Sequence, residues 1–304
     1  MEALRAARFG LVSIDELRRA AFGDRPVLPP GTPASPRAKL LTAIVLGGQG
    51  RYAGAATLLD EVARGRDRVL ASLALSTFAS HRRQLGGHRA AFGPDGAALR
   101  LVTGLSGRTG ARMSGDGEAP AHRARPGAGV PQEEDPDGID AEGARADALL
   151  GLAADNLGIG RLPLARRLVA RVTARSWRSK VRLGWVSAEL ELAGGQAANA
   201  VEPAERALEL AESAGALRHV VKSRLVLAAA LGATGERERA VHLAEEALAV
   251  TDEYALRSLS WPAGSIAAEY GRDRSRVDAM VHAVLLRSDP DGRRLAGESP
   301  WVPA

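Results

Sequence analysis

Few residues of this chain have the type and spacing that catalysis or cofactor binding requires. The glycine-rich stretch LGGQG (residues 46–50) has the composition of a phosphate-binding loop, but no Lys-Ser or Lys-Thr pair follows it. Histidines occur at positions 81, 88, 122, 219, 242 and 282. No two of them have the i, i+4 spacing of a helical metal site, and the absence of cysteine excludes disulfides and thiolate ligands. The sequence therefore predicts no catalytic residues, no metal site and no cofactor.

Arginines dominate the stretch between Asp155 and Glu189, which contains no acidic residue. Four of them follow the three-and-four spacing of one helix face: Arg167, Arg171, Arg175 and Arg178. A single helix carrying these residues and continuing to Arg182 would present a basic ridge over residues 167–182. Such a ridge would suit an acidic peptide or a nucleic acid, and its plainer interpretation is a solvated helix face.

The composition is that of a globular protein with a core of small residues. The chain has 304 residues, of which 45% are hydrophobic and only 4% aromatic, so alanine and leucine must fill the interior. Its net charge of +5 is modest and uneven along the chain, and polyanion-binding proteins usually concentrate their charge more than this. We find no signal peptide and no run of about 18 apolar residues, so we expect a cytoplasmic protein that does not span a membrane.

Residues 181–220 and 221–260 match in their small residues when one segment is laid over the other. The matching pairs are Ala188 and Ala228, Gly195 and Gly235, Ala200 and Ala240, Ala204 and Ala244, and Ala207 and Ala247. A pattern of residues that repeats at a fixed spacing indicates stacked supersecondary units. Apolar residues recur three and four positions apart in every long segment, so the units are predicted to be antiparallel helix pairs and the fold class all-α.

The spacing of these small residues is similar to that of the tetratricopeptide repeat, and the chain resembles a member of that superfamily. Further copies of the pattern have their marker glycines at 50, 86, 160 and 271. The resemblance covers residues 36–91 and 145–287, and it implies an α-solenoid in which helix pairs form a right-handed superhelix. It also resembles the sensor arrays of bacterial transcriptional activators of the MalT and AfsR kind, because the unit at 195–235 is longer than usual.

This chain departs from the family pattern at the end of each repeat as well as in the length of that unit. The proline that commonly closes each repeat is absent, and the matching positions hold Asp67, Trp177 and Asp252.

Five segments are predicted along the chain. They are residues 1–35, a short helix and a proline-rich stretch; 36–103, an N-terminal helical block; 104–144, a disordered linker; 145–287, a C-terminal helical array; and 288–304, a tail. Ser13 and Glu16 form the capping box that begins the first helix. The stretch FGPDG (residues 92–96) is predicted to interrupt the helical block, because proline and glycine both disfavour helix.

The resemblance implies a concave groove lined by the first helix of each pair. The family's binding positions, carried onto this chain, are Arg182, Trp185, Glu189, Lys222, Leu225 and Trp261. Tryptophan and arginine are the side chains that most often anchor a partner at an interface. Packing of the two tryptophans between neighbouring repeats is the alternative interpretation, and the sequence leaves it open.

Three hypotheses of function follow. The first is a non-enzymatic scaffold that binds a protein or peptide in the groove, with Arg182 and Lys222 selecting an acidic partner. The second is a regulatory or nucleic-acid-associated protein that uses the ridge 167–182, and it is less favoured because no helix-turn-helix signature occurs. The third is an enzyme with an unfamiliar site. It is the least favoured, because no group of residues in the sequence resembles a catalytic site.

Overall fold

The computed structural model describes residues 10–103 and 135–303, and within them the named secondary-structure elements are all helices. The helices of this part of the chain are α1 (Ile14–Phe22), α2 (Pro36–Gly48), α3 (Tyr52–Ala63), α4 (Arg68–Gln84), α5 (His88–Val102), α6 (Ala141–Gly158), α7 (Leu162–Val169), α8 (Trp177–Ala193), α9 (Ala197–Ser213), α10 (Leu217–Thr234), α11 (Arg237–Glu253), α12 (Arg257–Glu269), α13 (Ser275–Leu285) and α14 (Pro290–Glu298). The predicted all-α fold class is confirmed.

Consecutive helices pack in pairs across short turns, and a glycine lies in each turn. The six glycines predicted to mark the repeats are Gly50, Gly86, Gly160, Gly195, Gly235 and Gly271. All have a positive φ, between 69° and 95°, which residues with a side chain rarely adopt. The prediction that glycine marks the bend within each helix pair is therefore confirmed, while the bend between α11 and α12 has Ala255 in this conformation.

Alanine fills the contacts between paired helices. Ala188, Ala200, Ala204, Ala228 and Ala240 are completely buried in one cluster formed by α8 to α11. Because alanine has no side chain beyond Cβ, the helix axes can approach closely, as the repeated pattern of small residues in the sequence predicts.

The first helices of the pairs form an inner layer: α2, α4, α6, α8, α10 and α12. Each contacts the next, and α12 contacts α2, so the array returns to its start. The hydroxyl of Ser258, at the beginning of α12, donates to the carbonyl oxygen of Gly48, at the end of α2 (2.9 Å). The amide of Ala53 donates to the carbonyl oxygen of Arg287 (2.8 Å). The last pair therefore lies on the end of the first, and the two predicted helical blocks pack together.

Two predicted boundaries differ from the structure. Residues 104–134 of the predicted linker lie outside the described residues, but residues 135–144 are well packed. Asp135 accepts a hydrogen bond from Arg37, Asp137 accepts one from Arg18 (2.6 Å), and Ile139 is buried. The acidic end of this segment is held because basic side chains of α1 and α2 pair with it.

The predicted tail, residues 288–304, contains α14 instead. Asp289 caps this helix by accepting from the amide of Gly292 and also pairs with Arg82 (2.9 Å), which joins α14 to the end of α4. The predicted break at 92–96 was also wrong, because Pro94 lies inside α5. The capping box of Ser13 and Glu16 is confirmed at the start of α1.

Candidate functional site

Four of the six predicted partner-binding residues meet on the inner layer, where α8 packs against α10. We call Arg182, Trp185, Glu189 and Lys222 the inner strip. The indole nitrogen of Trp185 donates to the hydroxyl of Ser223 (2.8 Å), and the Lys222 ammonium lies 6.0 Å from the centre of the Trp185 ring. Lys222 also donates to Glu189 (2.9 Å). Trp185, Glu189 and Lys222 are therefore connected through the Lys222 ammonium, and Arg182 lies one helical turn before Trp185 on α8.

The inner strip keeps contact with solvent. The exposed fractions of the side chains are 20% for Arg182, 33% for Glu189 and 35% for Lys222. Trp185 is partly buried because its ring stacks on the buried His219, with the ring centres 5.6 Å apart. Such half-buried aromatic and charged side chains have the chemistry of an interface anchor.

Of the other two predicted binding residues, Leu225 lies in the core, so its assignment to an exposed groove was wrong, whereas Trp261 is partly buried. Leu225 is only 4% exposed and packs with Val221 and Leu256. Trp261 packs against the cluster in which Tyr52 and Val284 bring the first and last helix pairs together. Leu225 lies among α10, α11 and α12, and the return of α12 to α2 brings Trp261 against the first helix pair. Neither position can be deduced from a single repeat.

The predicted basic ridge does not form one helix face. Helix α7 ends at Val169 and α8 begins at Trp177, so Arg167 lies on α7 while Arg171 and Arg175 lie in the connection between them. Ser176 begins α8 by accepting from the amide of Ser179, and this cap interrupts the helical spacing. The ridge that would have served the nucleic-acid alternative is therefore absent from this part of the structure.

Arg178, the last of the ridge residues, is buried at the start of α8. Its Nε donates to the carbonyl oxygen of Asp137 (2.6 Å), its Nη2 donates to that of Gly138 (3.2 Å), and its Nη1 pairs with Asp147 (2.8 Å). The guanidinium also lies over the ring of Phe22. Arg178 thus joins α1, α6 and the segment before α6, and its donors are already engaged.

Asp147 of α6 holds a second arginine. Its other carboxylate oxygen pairs with Arg182 (2.9 Å) on the next turn of α8. Two guanidiniums therefore share one carboxylate at the contact between α6 and α8, which leaves a net positive charge there.

Arg218, on the first turn of α10, is the functional candidate that the sequence analysis missed. Its Cδ lies 2.9 Å from where a Cβ on Gly48 would be, so the side chain passes directly over the end of α2. Its Nε is buried and has no hydrogen-bond partner among the described residues. Burial, together with the nearby charges of Arg178 and Arg182, lowers the pKa of Arg218 to about 10, so the group is still cationic at neutral pH.

The LGGQG stretch explains how Arg218 reaches this position. It lies at the carboxyl end of α2, the opposite end of a helix from the one that binds phosphate. Its two adjacent glycines provide room, since a side chain on Gly47 would overlap the ring of His81 and one on Gly48 would crowd Arg218. A glycine pair at the end of a buried helix was the only sequence signal that could have indicated this close approach.

Further buried charges lie at the contact of α4, α5 and α6. Arg83 pairs with both Asp95 and Asp155 (3.0 Å to the latter). Burial raises the pKa of both carboxyls above the ordinary value, although Arg83 partly opposes that change. This group is internally paired, and we interpret it as a structural connection between the three helices.

The buried histidines do not contribute positive charge. Burial and the charge of Arg218 lower the pKa of His81 to about 3 and keep the pKa of His219 well below its ordinary value. Among residues 10–103 and 135–303, no group of three or more His, Asp or Glu side chains could hold a metal ion. Nor does the described part of the chain contain a helix with the length and apolar character needed to cross a membrane.

Comparison of the chain with models of protein families found no match, and comparison with curated proteins found none either.

Proposed function

We propose that this protein is a non-enzymatic binding protein of the tetratricopeptide-repeat type, which holds an acidic segment of a partner protein against the inner strip. The observation that carries the proposal is the placement of Arg182, Trp185 and Lys222 on adjacent inner helices, with each side chain partly exposed to solvent. An aromatic ring flanked by cations supplies both apolar contact area and a preference for negative charge.

Membership of the repeat superfamily is supported by the glycine at the bend within each helix pair and by the buried alanines between paired helices. The return of α12 to α2 differs from the open right-handed superhelix that the resemblance implies. In our proposal the partner segment contacts the inner strip from its solvent-exposed side and does not fill an extended groove.

The proposal is tested by the affinity of the full chain for short labelled peptides that differ in their number of Asp and Glu residues. The informative variant is Lys222→Glu, which places a second carboxylate beside Glu189. Fluorescence anisotropy should show at least about a tenfold weaker affinity for acidic peptides, which corresponds to about 1.4 kcal/mol. Arg182 is left unchanged, because its loss would disturb the pairing of Asp147.

Arg239→Glu is the matched control, since it makes the same change of charge on the outer helix α11. Arg239 is 59% exposed and pairs there with Glu236. Its replacement should leave peptide affinity within about twofold of the parent protein, because a surface ion pair contributes little. Equal losses in the two variants, with unchanged circular dichroism, would exclude the inner strip as the binding site.

A further inference from the structure

The buried connection between α4, α5 and α6 contains two carboxyl groups and one guanidinium. Asp95 on α5 and Asp155 on α6 both pair with the same nitrogen, Nη1, of Arg83 on α4 (3.0 Å from Asp155). We call Asp95 and Asp155 the carboxyl pair. Both of its side chains are completely shielded from solvent, and that of Arg83 is only 10% exposed. One guanidinium neutralises one carboxylate, so two ionised carboxylates at this nitrogen would repel each other inside the protein.

Two oxygens of the carboxyl pair lack a hydrogen-bond donor. Oδ1 of Asp95 and Oδ2 of Asp155 are buried and accept no hydrogen bond within the described residues, although the two carboxyls lie within hydrogen-bonding reach of each other. The Asp95 carboxyl lies directly on the backbone of α6, since a Cβ on Gly151 would overlap it. A proton on one carboxyl would supply an O–H donor for the other, whereas two ionised carboxylates offer only acceptors.

The helices around the carboxyl pair present one further cation and one histidine. Arg182 of α8 favours the ionised form of Asp95, but its guanidinium pairs with Asp147 instead (2.9 Å). His88 of α5 is neutral at neutral pH, because burial and the charge of Arg83 lower its pKa. The carboxyl pair therefore has a single hydrogen-bonded cation, Arg83, within the described part of the chain.

We infer that Asp95 and Asp155 hold one proton between them at neutral pH, and that loss of this proton in alkaline solution weakens the contact between α5 and α6. Two carboxyls in hydrogen-bonding contact in a buried position ionise together only at a high cost, so one of them keeps its proton. This contact joins the N-terminal helical block, which α5 ends, to the C-terminal array, which α6 begins. The inference does not depend on the proposed function, because the carboxyl pair takes no part in the inner strip.

The pKa values of the two groups point in the same direction. Burial raises the pKa of both carboxyls, Arg83 opposes the rise, and the charge of Asp95 adds to it for Asp155. The pKa of Asp155 is about 7, compared with an ordinary value of 3.8. Between these values the folded protein binds more protons than the unfolded chain. The stability that depends on the pair is therefore fully present below pH 3.8 and is lost as the pH rises through about 7.

The experiment compares the parent protein with Asp155→Asn, in which an amide replaces the protonated carboxyl. Urea denaturation gives the unfolding constant of each protein from pH 5 to pH 9. The constant of the parent, divided by that of the variant, should rise about tenfold between pH 5 and pH 6 and become level above pH 8. At pH 9 the variant should be the more stable protein, because one arginine then faces one carboxylate. A ratio that does not change with pH, with the variant less stable throughout, would overturn the inference.

Asp147→Asn is the matched control on the same helix. Asp147 is also buried, but it pairs with two arginines, Arg178 and Arg182. The same chemical change therefore removes the carboxylate that two cations share. Asp147→Asn should be less stable than the parent at every pH, and the ratio of the two unfolding constants should stay level. A rise of this ratio as large as that for Asp155→Asn would assign the pH dependence to other groups and overturn the inference.

A second measurement uses the folded parent protein, so it does not require Asp155→Asn to fold. Infrared spectroscopy should show the carbonyl band of a protonated carboxyl at pH 6, and this band should disappear by pH 9. Amide exchange, corrected for its intrinsic dependence on pH, should increase more in α5 and α6 than in α10 and α11 over the same range. Absence of the band at pH 6 would overturn the shared proton. An equal change of exchange in the two pairs of helices would overturn the weakening of the contact.

Discussion

At the scale of single residues, the interior of this protein keeps some histidines neutral at pH values where they would be protonated in water. His81 is an example, because its ring lies between the backbone of Gly47 and the ring of Tyr52, 4.9 Å away. Burial lowers its pKa to about 3, so the folded protein holds it neutral, while an unfolded chain binds a proton below its ordinary pKa of 6.5. The stability that depends on this residue is therefore present at neutral pH and is lost as the pH falls from 6.5 towards 3.

His81→Phe is expected to reduce the sensitivity of the fold to acid. The phenyl ring has a similar size and does not titrate, so the variant should lose about 1–3 kcal/mol less unfolding free energy than the parent protein between pH 7 and pH 4. Urea denaturation at both pH values measures the difference. Parallel losses in the two proteins would show that folding does not lower the pKa of His81.

At the scale of secondary-structure elements, the repeating unit depends on the backbone conformation of its bends. Gly235, which ends α10, has a φ of 95°, and a Cβ added there would meet no atom within 4 Å. Any penalty for a side chain at this position must therefore come from the backbone and not from a steric clash. Gly93 of α5 also has free space around it, but no positive φ.

The two glycines provide a matched pair of substitutions. Gly235→Ala should lower the free energy of unfolding by about 1–2 kcal/mol, because alanine resists the left-handed conformation. Gly93→Ala should raise it by about 0.5–1 kcal/mol, because alanine is the better helix residue. Chemical denaturation measures both values. Changes of the same sign would mean that the conformation of the bend does not limit the stability of the unit.

At the scale of the whole molecule, contacts between the ends of the array couple helix pairs that are far apart in sequence. The Cγ2 of Val284 on α13 lies 3.1 Å from the Cβ position of Gly50, between α2 and α3. Arg82 and Asp289 add an ion pair between α4 and the start of α14. An open array of repeats has contacts only between neighbours, whereas here the first pair is also stabilised by the last.

Val284→Ala is expected to destabilise the protein by about 1–3 kcal/mol and to speed amide exchange at residues 46–56, in the first helix pair. Val277→Ala is the control, since Val277 is equally buried but contacts Gly264 within its own helix pair. It should speed exchange in α12 and α13 while leaving residues 46–56 protected. Similar exchange at residues 46–56 in both variants would contradict the coupling of the two ends.

Local spacing was sufficient to predict the helix pairs and the glycine at the bend within each pair, whereas the choice of Arg182, Trp185, Glu189 and Lys222 came from the family resemblance. The pairs and bends depend on residues three, four or forty positions apart, and such relations are visible in the chain itself. The prediction of a basic ridge over residues 167–182 was wrong for a reason that is also local. Ser176 caps the start of a new helix, so the three-and-four spacing of the arginines does not belong to one helix.

Only the tertiary structure decided how the array ends and where its unpaired charge lies. The burial of Leu225, the partial burial of Trp261 and the approach of Arg218 to Gly48 require contacts between distant helices. The sequence specifies which residues share a helix face, because backbone geometry repeats over a few residues. It does not show which of those faces meet after the chain has turned back on itself, because that outcome depends on the packing of every pair at once.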